Sequence, residues 1–336
     1  MRVPMTTARV VACAATLLGG MRLLAQAGEA CLLLPTPPPI VDAAVTPVDY
    51  SPIDGSPVDV LPVNFTLGSA CAARCRDDWS LFAGLEGSKQ PQDFGINAHF
   101  GARVALNYGR LVSDDSTLGW QVGTAVVATD NAVQVVERVE GSSSRLQSFT
   151  TLGVFQHTDI GVHWSIVYDL LWQDYYDDFF LGQWRGEWGL DLGCQDRVGV
   201  MAMLHGHGDA GSFGGTGVYL RPINQASLFW RHAWPTGGAV RGWVGLADGH
   251  AEANAALGDW PRRDAMMVFG SDFRVPLTDY LALTGQANFI MPADTGTVDA
   301  FLGFEYFPGG RSATGRAARP LLPVASNATF SVDLFR

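Results

Sequence analysis

The stretch Phe94–Tyr108 constrains the fold more than any other part of the sequence. Its even positions are apolar, whereas its odd positions carry Asn97, His99 and Arg103 among smaller residues. Side chains alternate between two faces along a strand, so this pattern predicts one long strand with an apolar face and a polar face. Strands of globular proteins are usually about 5–6 residues long, and an alternation of this length is typical of a transmembrane β-barrel.

The composition suits strands that face lipid and argues against two other classes of protein. The 336 residues include 39 Gly, 18 Phe, 10 Trp and 8 Tyr, and 16% of them are charged. Mean hydropathy is +0.11, and no apolar run of about 18 residues follows the N-terminus, which argues against a bundle of membrane-spanning helices. The net charge of −11 comes without a basic stripe, so nucleic acid is not an expected partner.

Residues 1–27 are typical of a secretory signal peptide. A basic start precedes the apolar stretch Val10–Gly20, and Ala25-Gln26-Ala27 fits the small-x-small cleavage rule. We therefore expect the protein to be exported.

Residues 28–78 are predicted to be a Pro-rich disordered linker. Cys71 and Cys75 lie at its end, and they are a disulfide candidate because an exported protein meets an oxidising compartment. Free thiols at these two positions, and lipidation of Cys31, remain open.

Residues 79–336 form a succession of long alternating segments, of which Phe180–Gly193 is the second clearest. Val218–Arg221 and Thr329–Phe335 are counted among them. The length gives about 12 strands, with a range of about 10–14, since bacterial barrels use even numbers of strands of roughly 10 residues each. The sequence therefore predicts an all-β fold, an antiparallel transmembrane-type β-barrel behind a signal peptide and linker.

The last segment alternates and ends in Asp333-Leu334-Phe335-Arg336. This resembles the C-terminal recognition strand of bacterial outer-membrane proteins, although the aromatic is penultimate and Arg336 departs from the pattern. The chain as a whole resembles an uncharacterised outer-membrane β-barrel family, a domain of unknown function with a Sec signal, a Pro-rich spacer and a porin-like barrel. The resemblance implies contact with outer-membrane lipid and insertion by the barrel-assembly machinery.

The polar parity of the strands predicts which side chains face the lumen. They are Asn97, His99, Arg103, Asp169, Gln183, Arg185, Glu187, Asp191, Asp272, Arg274, Gln286, Asn288 and Glu305. Either these mixed charges pair and close the lumen, or they leave a narrow hydrated path. We favour a closed or plugged barrel, because Arg185, Glu187, Asp272 and Arg274 can satisfy one another and an unpaired charge would be costly.

Aromatic residues cluster near the predicted strand ends. The set is Trp172, Tyr175, Tyr176, Phe179, Phe180, Trp230, Trp234, Tyr306 and Phe307. In a barrel such residues are expected to form interfacial belts, and a platform for stacking sugars is the alternative.

No catalytic residue, metal site or cofactor is predicted. The run Asp174–Asp178 lacks the Gly of a calcium loop, and His205 and His207 lack a third ligand. His163 and Ser165 share a strand face, but no Gly-x-Ser-x-Gly elbow accompanies them.

These patterns predict an outer-membrane protein that acts as a porin-like channel or as a structural envelope protein. A soluble secreted β-sandwich that binds a ligand is the first alternative. A lipid-modifying enzyme of the outer membrane, with residues on its outer wall, is the second.

Overall fold

Long antiparallel strands form most of the structure. The computed structural model describes residues 77–93, 98–113, 115–132, 144–248, 265–291, 297–310 and 319–335. The predicted signal peptide, residues 28–76 of the predicted linker with Cys71 and Cys75, and Asn97 lie outside these ranges, whereas Asp77 and Asp78 at the end of the predicted linker belong to the first strand. Within the ranges, twelve strands close on themselves as a barrel, in which the first strand (Asp77–Lys89) pairs with both the second (His99–Leu111) and the last barrel strand (Val298–Tyr306).

The strands are β1 (Asp77–Lys89), β2 (His99–Leu111), β3 (Leu118–Asn131), β4 (Ser144–His157), β5 (Val162–Asp174), β6 (Asp178–Leu192), β7 (Asp196–His207), β8 (Asp209–Phe213), β9 (Thr216–Pro222), β10 (Gln225–Ala233), β11 (Ala239–Asp248), β12 (Ala265–Pro276), β13 (Leu281–Met291), β14 (Val298–Tyr306) and β15 (Val332–Phe335). All but β8, β9 and β15 belong to the barrel, and these three form a separate sheet in the order β15-β9-β8. The predicted all-β class and the count of about 12 strands are confirmed.

The alternation along each barrel strand separates an apolar exterior from an enclosed interior. On β2, Phe100 is 59% exposed and Val104 is 45% exposed, whereas the intervening Arg103 is 3% exposed. Large apolar side chains point outward on the other strands too, among them Leu152, Ile166, Trp184, Leu228, Leu246 and Phe304. A belt of this kind is typical of the outer surface of a transmembrane-type β-barrel. The strands make one closed barrel and not two packed sheets, so the β-sandwich alternative is wrong.

The two ends of the barrel differ in their connections. At one end, which we call the short-turn end, the strands are joined by residues 112–117, 158–161, 193–195, 234–238 and 277–280. At the other, which we call the long-loop end, the connections include residues 249–264 and the stretch 208–224 that carries β8 and β9. No helix among the described residues is long and apolar enough to cross a membrane.

The C-terminal residues lie inside the barrel. Residues 324–334 are all buried, and β15 pairs with β9 at the long-loop end. We call the segment Arg319–Phe335 the C-terminal plug. It enters at the short-turn end, where Arg319 contacts Asp78, and it runs the length of the lumen.

The plug and the inner wall share one apolar core. Phe82, Phe149, Leu171 and Leu181 of the wall pack with plug and β9 residues. The plug contributes Val324, Ala325, Phe330, Val332 and Leu334, and β9 contributes Val218 and Leu220. Full burial of such side chains contributes about 1.5–3 kcal/mol each, so the plug is a packed part of the fold.

Two segments that were predicted to be barrel strands do not belong to the barrel. Thr329–Phe335 is not a barrel strand, because residues 332–335 pair with β9 and the last barrel strand is β14. Val218–Arg221 likewise belongs to β9 of the small sheet.

The expected aromatic belt is divided: Phe180, Trp230, Trp234 and Tyr306 are exposed, whereas Tyr175, Phe179 and Phe307 are buried inside.

Candidate functional site

The candidate site is the lumen itself, formed by the inner wall and the plug. Of the residues predicted to face the lumen, Asn97 lies outside the described ranges. His99, Arg103, Asp169, Gln183, Arg185, Glu187, Gln286 and Asn288 are buried. Asp191, Asp272, Arg274 and Glu305 line a cavity inside the barrel.

Three of these wall side chains, Arg103, Gln183 and Arg185, bind the backbone of the plug. Arg103 donates from Nη2 to the carbonyl oxygens of Val324 and Ala325, at 3.3 and 3.1 Å. Gln183 donates to the carbonyl oxygen of Thr329 at 2.7 Å. An irregular backbone buried away from water must find such partners, and the polar parity of the strands supplies them.

Asn327 is held at the centre of the plug. Its backbone N–H and Nδ2 both donate to Oε1 of Glu86, at 3.0 and 2.7 Å. Its side-chain amide also exchanges two hydrogen bonds with Gln147, at 3.0 and 2.9 Å. Oε2 of Glu86 accepts from Arg103 at 3.2 Å, so one buried ion pair fixes two points of the plug.

Arg185 forms a second buried anchor. It donates from Nε and Nη2 to both oxygens of Asp169, at 2.8 and 3.0 Å, and from Nη2 to the carbonyl oxygen of Pro323 at 2.7 Å. Thr151 also donates to Asp169, at 2.6 Å, and accepts from the backbone N–H of Ala325 at 3.0 Å. The ion pair of Arg185 and Asp169 therefore also holds the plug, at Pro323 directly and at Ala325 through Thr151.

The charges pair differently from the prediction. Arg185, Glu187, Asp272 and Arg274 do not satisfy one another. Arg185 pairs with Asp169, Arg274 pairs with Glu305, and both Glu187 and Asp272 pair with Arg241. Arg241 was missing from the predicted set, although its inward parity on β11 would have included it.

A polar cluster closes the interior near the long-loop end. The short 3-10 turn Pro91–Asp93 folds inward and is buried. Arg145 donates to Asp93 at 3.2 Å, and Nε2 of His99 lies 3.2 Å from the same oxygen. Burial alone would raise the pKa of Asp93, but Arg145 and His99 outweigh it and hold that pKa below its usual value.

The short-turn half of the lumen contains a cavity of about 380 Å³. Arg103, Phe82 and Val324 lie on its inner side, and the exposed turn residues Cys194 and Gln195 lie at its rim. Further charged residues of its wall are Asp78, Asp159, Glu187, Asp191, Asp196, Arg197, Arg231, Arg241, Asp272, Arg274, Glu305 and Arg319. The cavity therefore opens toward the short turns and ends at the plug.

The other motifs noted in the sequence make contacts that support the fold. His163 and Ser165 face the interior, where Nε2 of His163 lies 2.5 Å from Asp191, so this pair does not face lipid. Asp177 accepts from the N–H of Ser212 at 2.8 Å and ties the turn after β5 to β8. In the described part of the chain, no group of three or more potential ligands is placed to hold a metal ion.

Comparison with known proteins identifies the family. The model of the "Family of unknown function (DUF6666)" matches residues 78–332, from the start of β1 into β15. The chain belongs to this family. The resemblance to an uncharacterised outer-membrane barrel family is thereby confirmed, and the DUF6666 match includes most of the plug as well as the barrel. No curated protein matches the sequence.

Solved barrels show a distant similarity to this DUF6666 chain. The COG4313 outer membrane channel from Pseudomonas putida F1 is 11% identical, with 74% of this chain and 99% of that chain covered and a TM-score of 0.47. A TodX monoaromatic hydrocarbon channel mutant is 9% identical, with 70% and 91% covered and a TM-score of 0.44. The outer membrane phospholipase of Salmonella typhi is 10% identical, with 68% and 90% covered and a TM-score of 0.37.

Proposed function

We propose that this DUF6666 protein is an outer-membrane barrel of the structural kind, kept closed to solutes by its own C-terminal plug. The observation that carries the proposal is the burial of residues 324–334 inside the lumen, with their backbone bonded to wall side chains. A porin needs a continuous aqueous path, and here the polar wall binds protein where a porin would bind water.

The proposed setting follows from the two surfaces of the barrel. The exposed apolar belt is the surface for outer-membrane lipid. Bacterial barrels place their short turns in the periplasm, so the short-turn end and the mouth of the cavity would face the periplasm. The barrel-assembly machinery would then act on β14, whose end carries the exposed Phe304 and Tyr306, because the plug is not part of the wall.

Planar-bilayer conductance of the refolded full chain tests the proposal. We expect no ion-conducting steps from the full chain and discrete steps from a variant that lacks residues 319–336. Retention of the compact, heat-modifiable form on a gel shows whether each variant is folded. Steady conductance steps from the full chain, equal to those of the deletion variant, would overturn the proposal.

A second variant covers the case in which the deletion does not fold. Arg103→Met leaves the barrel strands unchanged but removes two hydrogen bonds to the plug. We expect brief openings from this variant and none from Arg110→Met, because Arg110 pairs with Asp77 at a partly exposed site. If Arg103→Met and the deletion variant both fold and neither conducts ions, the plug does not close a path through the barrel.

A further inference from the structure

Three arginines stand side by side on the inner wall of the cavity. Arg231 on β10 lies directly opposite Arg197 on β7 and Arg241 on β11. The row continues to Asp191 beyond Arg197 and to Asp272 beyond Arg241. Like charges at directly opposite positions destabilise a sheet, so a row with three adjacent guanidinium groups requires an explanation.

The two outer arginines are neutralised and the central one is not. Arg197 donates to Asp191 at 2.7 Å. Arg241 donates to Asp272 at 2.7 Å and to Glu187 at 2.6 Å. For Arg231 the described residues supply no carboxylate within ion-pair distance and no side-chain hydrogen bond.

The surroundings of Arg231 add to its positive charge. Arg197, Arg241 and Arg274 all repel the positive charge of Arg231. Among these described neighbours, Asp272 is the carboxylate that attracts it. Asp272 is already engaged by Arg241. A half-buried guanidinium with three like neighbours therefore meets the cavity with its five donors available.

We propose that this site binds a small oxyanion, a carboxylate or a phosphate group, with Arg231 as its main ligand. The planar guanidinium fork matches two oxygens of either group, and such charge-assisted hydrogen bonds are about twice as strong as neutral ones. Bound negative charge would also relieve the repulsion among Arg197, Arg231 and Arg241. The inference goes beyond the closed-barrel proposal, since a closed barrel does not require a ligand.

The shape of the cavity limits the ligand. A volume of about 380 Å³ lies within the range of about 300–1,000 Å³ of small-molecule sites. Phe273, Phe307 and Leu321 also line it, so the ligand combines one anionic group with a modest apolar body. Entry is from the short-turn end, past Cys194 and Gln195.

Isothermal titration calorimetry on the detergent-solubilised full chain tests the site with two probes, inorganic phosphate and acetate, against chloride at matched ionic strength. We expect at least one oxyanion to bind better than chloride and to bind at least tenfold more weakly to Arg231→Gln. Arg110→Gln is the matched control, because it removes a wall arginine that does not line the cavity. Arg231→Lys keeps the charge but loses the fork, and we expect intermediate binding.

Each outcome of this test has a defined meaning. Binding of both probes supports recognition of the shared pair of oxygens, and binding of one probe supports that class alone. Equal affinity of the wild type and Arg231→Gln, or no oxyanion binding above chloride by the wild type, would overturn the proposal. A thermal melt separates ligand binding from a structural role: without anion, Arg231→Gln should melt at the same or a higher temperature than the wild type. Calorimetry and melting do not depend on conductance, so a negative result for oxyanion binding would not overturn the closed-barrel proposal.

Discussion

The ion pair of Arg103 and Glu86 gives the most direct test of how the plug is held. Both side chains are almost fully buried, and Nη1 of Arg103 lies 3.2 Å from Oε2 of Glu86. Arg103 also binds two plug carbonyl groups, and Glu86 binds Asn327 twice. Removal of either member therefore leaves a buried charge without its partner and weakens the contact with the plug.

The expected magnitude follows from these contacts. Breaking a buried pair by removing one partner costs about 3–5 kcal/mol, and we expect this loss in the free energy of unfolding for Arg103→Met and for Glu86→Gln. The double variant leaves neither charge unpaired. We therefore expect it to be less destabilised than the sum of the single variants by about 2–3 kcal/mol, the upper part of the range for residues in contact.

Urea unfolding in detergent micelles measures these free energies, provided the slope with denaturant stays constant. Arg110→Met is the control: its pair with Asp77 is partly exposed and 3.4 Å long, so its loss should cost less than about 1 kcal/mol. Additive losses in the double variant, within about 0.5 kcal/mol, would refute the idea that Arg103 and Glu86 hold the plug as a unit.

Three further predictions concern the outer wall, the strand contacts and the acid sensitivity of the fold. Val104→Arg places a charge on the apolar belt and should make insertion into vesicles less favourable by about 2–4 kcal/mol. Gly84→Val should destabilise the barrel by about 1–3 kcal/mol through overpacking, since a Cβ at Gly84 would lie 2.6 Å from the Cα of Gly303. The pKa of Asp93 is lowered, so its charge stabilises the fold above the unfolded value of about 3.9 and this contribution is lost as the pH falls through the lower folded pKa. Asp93→Asn should therefore unfold with less pH dependence below about pH 4 in an acid titration monitored by tryptophan fluorescence.

Each of these predictions has a control and a contradicting result. Val104→Leu keeps the outer surface apolar and should insert normally, and equal insertion of Val104→Arg would argue against lipid at this position. Gly217→Ala changes a glycine with no neighbour near its Cβ position, and equal urea midpoints for it and Gly84→Val would contradict the clash. An unchanged acid transition in Asp93→Asn would show that this carboxylate does not govern acid stability.

The barrel could be predicted from sequence because its pattern is local. Period-two alternation in β2 places Val104 and Arg103 at neighbouring positions on opposite faces, and a transmembrane-type barrel needs that separation because its exterior is apolar. The same periodicity repeats in most of the barrel strands, so the class and the approximate strand number follow from it.

A closed or plugged barrel was expected, but the C-terminal segment could not be identified as the plug in this way, because its contacts join distant parts of the chain. Arg103 and Val324 are 221 positions apart, and no periodicity relates them. The available signal was weak: Leu321-Leu322-Pro323-Val324-Ala325 is apolar without alternation, and Pro323 cannot donate to a strand ladder. The polar residues of the wall were therefore assigned to one another, whereas many of them bind the plug.

The plug also changes the topology of the chain. Twelve strands alone would return the chain to the side from which it started, because each pair of strands goes up and comes back. The plug adds a thirteenth passage through the barrel, from Arg319 beside Asp78 at the short-turn end to β15 beside β9 at the long-loop end. In a membrane, Asp77 and Phe335 would thus lie toward opposite faces, and an epitope attached after Phe335 would be displayed on the far side from one attached before Asp77.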